Sequence, residues 1–512
     1  MQNKKDYLFF IPIFLFVLLA TIRLANPLQF WVDELFHVFA AISMLENGQP
    51  ILSSGLPYER SFPTTWLASE SFKLFGISEV SARLPFMIIG VLSIIATYYL
   101  IKNTYDKKTA ILTTLLLSFA PLQIHWSLNA RMYILLQLLY VFFLFVLYIF
   151  SREIMRGLES REFNEIKVAF FTFLLIGIVW FTSFVHQFYI LFVATGLTFF
   201  VYLTSMRLLD KKKIFNERDF LISFVIVISL VLIFIRILFL NTPFLTTFAP
   251  IGMRSGIGFY VFLIGKHFTV LSLFAALSII MLSKKDNCSS IIVIGYFIPF
   301  ILLTLFLEAK NSRYLFFAFP LFIAIASNGI IEVWRNIKSN KSDRYKAPTK
   351  YLLILLVSIL VIQTGIGLYH ETFHTYQPIP YEDPHPHWRF ASDYVKQNIK
   401  DDDIVLSTMP ICTQYYLGET DYWLRQNEYY SFEDDEGILR DRYTGAIILK
   451  DYETFRIEME GKNGWLIADR KLDSYFTDPQ VLDFVNQNMT FVPEGSDETI
   501  NVYRFEYNQR VV

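Results

Sequence analysis

Apolar runs of about 20 residues, enough for a helix to cross a hydrocarbon core about 30 Å thick, recur along the first 370 residues and then stop. They lie near 7–25, 84–101, 109–124, 132–150, 168–185, 187–206, 219–240, 258–282, 289–307, 314–333 and 351–369, which predicts eleven transmembrane helices. The longest early interruption, 26–83, places apolar residues at helical spacing over 33–45 and 64–75. That pattern predicts short amphipathic helices on the membrane surface. Past Leu368 the chain turns polar, and Pro378, Pro380, Pro384 and Pro386 mark a stiff linker over 371–387. Beyond it, helical patterns at 388–399, 453–460 and 479–486 alternate with strand patterns at 404–407, 446–449, 465–468 and 499–506. This alternation predicts a soluble α/β domain over 388–512. That domain has no phosphate-binding glycine pattern, and the chain has no internal repeat.

Composition supports this division. Of 512 residues, 54% are hydrophobic and only 18% charged, against about 25% charged in soluble proteins. Disorder, a coiled coil and an ordinary cytosolic enzyme are excluded. The net charge of −1 conceals a split, because residues 371–512 carry 27 acidic and 13 basic side chains and are balanced by a basic 1–370. The basic residues of the membrane part are themselves uneven. Alternate short loops hold 22 Lys and Arg, whereas the opposite short loops hold only Arg131, Arg254, Lys310 and Arg313. The inward bias of positive charge predicts a multi-pass plasma-membrane protein with a cytoplasmic N-terminus and an extracytoplasmic C-terminal domain. The run at 7–25 follows Lys4 and Lys5 as in a signal peptide, but its length and the lack of a small-residue cleavage site make it an anchor. Cys288 and Cys412 fall on opposite sides, which excludes a disulfide between them.

Chemistry concentrates on the outer side. Of seven carboxylates there (Asp33, Glu34, Glu46, Glu59, Glu70, Glu79 and Glu308), only Asp33 and Glu34 are adjacent, just past the first span. Such a pair at membrane depth is a functional candidate; equally, acidic residues suit the N-terminus of an interfacial helix. Arg131 and Arg313 stand at outer membrane edges against the inward bias. A planar guanidinium suits bidentate phosphate contacts, and snorkelling to lipid headgroups is the alternative. His37 follows Asp33 by one helical turn, so the two could share a divalent cation, the one candidate cofactor. His125 and His186 lie at outer span ends.

Four motifs then occur in a telling order: Trp31-Val32-Asp33-Glu34; Tyr58-Glu59-Arg60 ahead of Pro63, with Phe72 to Pro85 entering the second span; Ala130-Arg131-Met132-Tyr133; and Arg313-Tyr314 with Pro320. In this order the chain resembles the GT-C class of membrane glycosyltransferases, in the branch of the protein O-mannosyltransferases and the lipid A aminoarabinose transferase, over roughly 25–320. The resemblance implies a polytopic α-helical membrane protein of GT-C type, with residues 1–370 as its catalytic domain. It implies an inverting enzyme that moves a sugar from a polyprenyl-phosphate donor to a protein, lipid or glycan acceptor on the outer face, among membrane lipid and without nucleic acid. Asp33 would be the general base, with Glu34 beside it. Arg60, Arg131, Tyr133, Arg313 and Tyr314 would hold the donor phosphate, with Glu59, His125 and Asn129 as substrate-binding candidates. Relatives often carry Glu where this chain has Asn129, which removes one carboxylate from the short turn.

The chemistry suits such a site: a lipid-phosphate sugar has a good leaving group, so a base for the acceptor and cations for the departing phosphate suffice. A single displacement of this kind inverts the anomeric carbon. The rival reading is a transporter or flippase of lipid-linked sugars. Such proteins commonly show repeats and interrupted spans with polar groups at mid-depth, whereas here Lys266 is the one clear mid-depth charge.

Overall fold

The structure is a computed structural model, and it describes residues 7–209, 256–281, 287–307, 309–339, 343–373 and 386–506. The span expected at 219–240, most of the linker at 371–387 and Glu308 lie outside the described residues. The chain forms two compact units, one of residues 1–25, 86–374 and 379–382, the other of 26–85, 375–378 and 383–512.

The first unit is helical. Helices long and apolar enough to cross a membrane run over Tyr7–Ala25, Glu79–Thr104, Tyr133–Ser160, Glu165–Val185, Tyr189–Met206, Ser312–Ser339 and Pro348–Gly367. Among the described residues that makes seven, or up to nine if two bent pairs each count as one span.

Both bent pairs depart from the continuous spans expected at 109–124 and 258–282. Lys107–Phe119 and Pro121–Ser127 meet at 67°. Pro121 disfavours helical geometry at the residue before it, and Ala120 is indeed extended (φ −68°, ψ 120°). Phe259–His267 and Thr269–Met281 meet at 105°, where Phe268 leaves helical geometry (φ −129°, ψ 34°) without a proline to force it. The helix expected at 289–307 spans only 16 residues, Ile291–Phe306.

Small residues allow close helix packing here, as in other membrane bundles. A Cβ on Gly329 would meet the Phe274 carbonyl oxygen at 2.0 Å. Beside it, the Asn328 amide donates to Ser278 Oγ at 2.8 Å, joining the same two helices.

The second unit carries an eight-stranded sheet. Its strands are β1 (Ile404–Ser407), β2 (Tyr422–Leu424), β3 (Ser431–Glu433), β4 (Leu439–Asp441), β5 (Ile447–Leu449), β6 (Gly464–Asp469), β7 (Thr490–Phe491) and β8 (Ile500–Phe505), in spatial order β3-β4-β5-β2-β1-β6-β8-β7. β5, β2, β1 and β6 run parallel, and the outer strands antiparallel. Every residue of β6 is buried, as in a strand covered on both faces. Alternation of side chains explains this. Leu406, Leu466 and Ala468 pack with Phe455, Val481 and Val485 of the helices Tyr452–Met459 and Pro479–Asn488. On the other parity, Ser407 Oγ bonds Thr413 Oγ1 and Trp465 meets Tyr394, facing the helices Pro410–Leu417 and Trp388–Asn398.

The same unit includes the first outer loop. Its helices Val32–Asn47 and Phe62–Phe75 lie where helical spacing was expected, and they pack on each other. The loop is fastened to the α/β domain at several points. Phe30 N–H donates to Tyr416 Oη at 2.6 Å, Arg389 N–H to Gln29 Oε1 at 2.9 Å, and Arg389 pairs with Glu79. Ser54 Oγ donates to the Arg442 carbonyl at 2.5 Å, and Phe36 stacks on Tyr443 with centroids 3.9 Å apart.

Candidate functional site: an acidic turn and an arginine pair

Trp31 caps the helix Val32–Asn47, placing Asp33 and Glu34 in its first turn, where the helix dipole favours negative charge. Neighbours on a helix point about 100° apart, and these two differ accordingly. Glu34 turns inward and is 1% exposed. It accepts from Trp31 N–H at 3.1 Å and takes a two-point contact from Arg83, Nε to Oε1 at 2.8 Å and Nη2 to Oε2 at 2.6 Å. Arg83 also donates to the Leu28 and Gln29 carbonyls and lies over the Phe30 ring. One ion pair therefore fixes residues 28–34. Asp33 stays half-buried.

One turn on, Phe36 shares the Asp33 side of the helix, and its ring lies on Tyr443, with Tyr430 5.7 Å beyond. Burial raises both phenols. The Asp33 charge adds to that rise and the Arg60 charge opposes it, so the four groups share one electrostatic neighbourhood. Arg60 and Glu59 are exposed, and Ser61 beside them has φ 50°. Burial also raises the Cys412 thiol, with Lys471 opposing and Asp469 and Asp33 adding to the rise. Such a thiol is unreactive.

His37 is buried, with Nδ1 3.2 Å from Thr65 Oγ1 and Nε2 3.4 Å from Tyr58 Oη. Among the described residues no group of three or more His, Cys, Asp or Glu is placed to hold a metal ion.

The second cluster belongs to the helical unit. Residues 128–132 connect Pro121–Ser127 to Tyr133–Ser160. There the Arg131 guanidinium lies 5.0 Å from the Tyr133 ring, and that of Arg313 lies 5.9 Å from the same ring and 5.4 Å from Tyr314. One tyrosine thus sits beside two cations. His186 and Tyr314 approach Tyr133 at 6.0 and 6.4 Å. His125 is half-buried against Trp126. Asn129 Oδ1, Trp126 Nε1 and Gln123 Oε1 are buried without a hydrogen-bond partner among the described residues. Buried polar atoms left unpaired are costly and call for an explanation.

The structure thus gathers Asp33, Glu34, Arg60 and Glu59 in one unit, and Arg131, Tyr133, Arg313, Tyr314, His125 and Asn129 in the other. Sequence reasoning missed three participants. Arg83 carried a signal, a charge entering a membrane helix. Tyr430 and Tyr443 carried none, since they reach the outer loop only through the fold.

Residues 60–235 match the family model described as dolichyl-phosphate-mannose-protein mannosyltransferase, about a third of the chain. A stretch of 121 residues is 29% identical to an uncharacterised protein of Aquifex aeolicus (strain VF5), covering 23% of this chain and 24% of that one. Two solved structures share the fold. ArnT from Cupriavidus metallidurans, bound to undecaprenyl phosphate, superposes with a TM-score of 0.58 at 12% identity over 98% of each chain. The oligosaccharyltransferase AglB of Archaeoglobus fulgidus, in complex with an inhibitory peptide and a dolichol-phosphate, gives 0.61 at 11% identity over all of this chain and 75% of that one.

Proposed function

From the premise that this is a polytopic membrane protein of the GT-C fold, we propose that it is an inverting glycosyltransferase. It moves a sugar from a polyprenyl-phosphate donor to an acceptor hydroxyl on the outer face of the plasma membrane. The observation that carries this reading is the unequal treatment of two adjacent carboxylates. Glu34 is committed to Arg83, while Asp33, on that same locked turn, is within electrostatic reach of Tyr443 and Tyr430.

The steps follow from the two clusters. Asp33 takes the proton of the acceptor hydroxyl as that oxygen bonds to the anomeric carbon. The bond from that carbon to the phosphate oxygen breaks, and its electron pair leaves on the phosphate. Arg131 and Arg313, beside the rings of Tyr133 and Tyr314, meet the growing phosphate charge. Asn129 and Trp126 supply further polar contacts to the donor. The match to a polyprenol-dependent family model over 60–235 supports this choice of donor, as do the carrier lipids bound to ArnT and AglB.

The test uses proteoliposomes loaded with a polyprenyl-phosphate hexose labelled in the sugar. Transfer predicts label in a product that no longer extracts with the carrier lipid. Label that crosses the bilayer still joined to its lipid would instead make the protein a flippase. The proposed orientation rests on the loop charges, and it predicts that an impermeant thiol reagent on intact cells labels a cysteine placed at Glu433 but not one placed at Lys338.

A further inference from the structure

Tyr430 stands immediately before β3 with φ 72°. A bulky side chain there is an outlier, because left-handed backbone is comfortable only for glycine and a few small polar residues. Its carbonyl accepts from Arg442 N–H at 2.9 Å, which holds the conformation in place. Strain of this kind persists where the side chain is needed, yet the Tyr430 ring is not spent on a core: it is 41% exposed, beside Tyr429, which is 50% exposed. Its inner neighbour is Tyr443, which lies on Phe36 one turn beyond Asp33.

On its other side Tyr430 is within electrostatic reach of Arg425. Arg425 follows β2 at the carboxyl end of the parallel strands, the edge at which open α/β sheets bind ligands. Its guanidinium lies over the rings of Trp423 at 4.4 Å and Phe476 at 5.2 Å, and Nε donates to Asn427 at 2.7 Å. Among the described residues no carboxylate pairs with it. Burial pushes it below its usual value although Tyr430, Asp441 and Tyr475 pull the other way. A cation half-withdrawn from water beside two aromatic rings is poised for an anion.

We propose that Tyr430 and Arg425 form the acceptor subsite of this enzyme, and that the acceptor is an acidic saccharide. The ring of a pyranose lies on Tyr430, its carboxylate or phosphate is held by Arg425, and its hydroxyl is presented to Asp33. This rests on the transferase reading above and adds to it the class of acceptor and a role for the C-terminal domain.

The test measures binding to the full chain in lipid nanodiscs, read by tryptophan fluorescence through Trp423. The probes are an oligosaccharide containing glucuronic acid, its neutral glucose counterpart, an acidic peptide and undecaprenyl phosphate. The acidic sugar should bind at least about tenfold more tightly than the neutral one, the scale of a hydrogen-bonded charge. Arg425→Gln should erase that preference while leaving undecaprenyl phosphate binding intact. Tyr430→Gly should weaken both sugars by about tenfold, the scale of a lost aromatic contact, and yet raise the thermal midpoint, because glycine relieves the backbone. A purely structural Tyr430 would not move stability and binding in opposite directions.

Equal binding of the two sugars by the wild type, stronger binding of the acidic peptide, or wild-type sugar binding in Tyr430→Gly overturns the subsite. Failure of undecaprenyl phosphate to bind, or of any sugar to be transferred, overturns the transferase reading instead. The two failures are therefore distinguishable.

Discussion

The turn around Asp33 and the turn around Arg131 both place charge beside a membrane span, but they hold it differently. At the acidic turn the inward charge is closed off: Glu34 meets Arg83 edge to edge, and the same arginine ties down two backbone carbonyls. At the arginine turn the cations rest on ring faces, Arg131 on Tyr133 and Arg313 on both Tyr133 and Tyr314. A bidentate carboxylate uses the edge of a guanidinium, whereas a ring contact uses its face. The first arrangement builds a scaffold, and the second groups two cations about shared aromatic rings. Asp33 stands on that scaffold, beside the Glu34–Arg83 ion pair.

Substitutions can break this contrast. The largest effect belongs to Asp33→Asn, which keeps the shape but cannot accept a proton. Turnover should fall by about 10²–10⁴-fold with no loss of thermal stability, as assayed in purified protein. Glu34→Gln should do the reverse: removing one partner of a buried pair costs about 3–5 kcal/mol of stability, visible as a lowered melting temperature and poor folded yield. If both variants melt like wild type, the scaffold role of Glu34 is wrong.

Arg131→Ala should weaken donor binding by about 2–5 kcal/mol, and Arg313→Ala by less, because Arg313 is half-exposed where Arg131 is buried. Titration with undecaprenyl phosphate measures both, and unchanged affinity in the two would return these residues to a lipid-anchoring role.

The smallest effect lies away from both turns, in the α/β domain. Burial alone would raise the Asp403 carboxyl, but hydrogen bonds from Arg504 and the Lys400 N–H, with the Arg504 charge, hold it below its usual range. A depressed carboxyl stabilises the fold above its unfolded value, near about 3.9, and that stability is lost as pH falls through the folded value. Asp403→Asn should therefore cost about 1.5–3 kcal/mol near neutrality and flatten the acid limb of a thermal-melt series.

The contrast also marks how far the sequence could be read. The outer-loop helices, the Trp388–Asn398 helix and the strands β1, β5, β6 and β8 fall where the spacing of apolar residues places them. The bend at Pro121 has a local cause, although the apolar run around it reads as one continuous span. The helix Pro410–Leu417 carried its own marks, a proline at its start and Gly418 at φ 109° at its end, but eight residues give little periodicity. β2, β3 and β4 are three residues each, too short for alternation to show. The break at Phe268 has no breaker residue at all. At the site, the carboxylates and outer arginines stood out by charge against the membrane pattern. What decided their roles was contact across the fold. Arg83 is 49 positions from Glu34, and Tyr443 lies about 400 positions beyond Asp33 in the same compact unit.

The most direct test of the central claim measures donor binding and sugar transfer together in the Asp33→Asn protein, reconstituted with a labelled polyprenyl-phosphate hexose. The account predicts wild-type affinity for the donor and label that stays with the carrier lipid. Label that moves to product at the wild-type rate would contradict the assignment of Asp33 as the base.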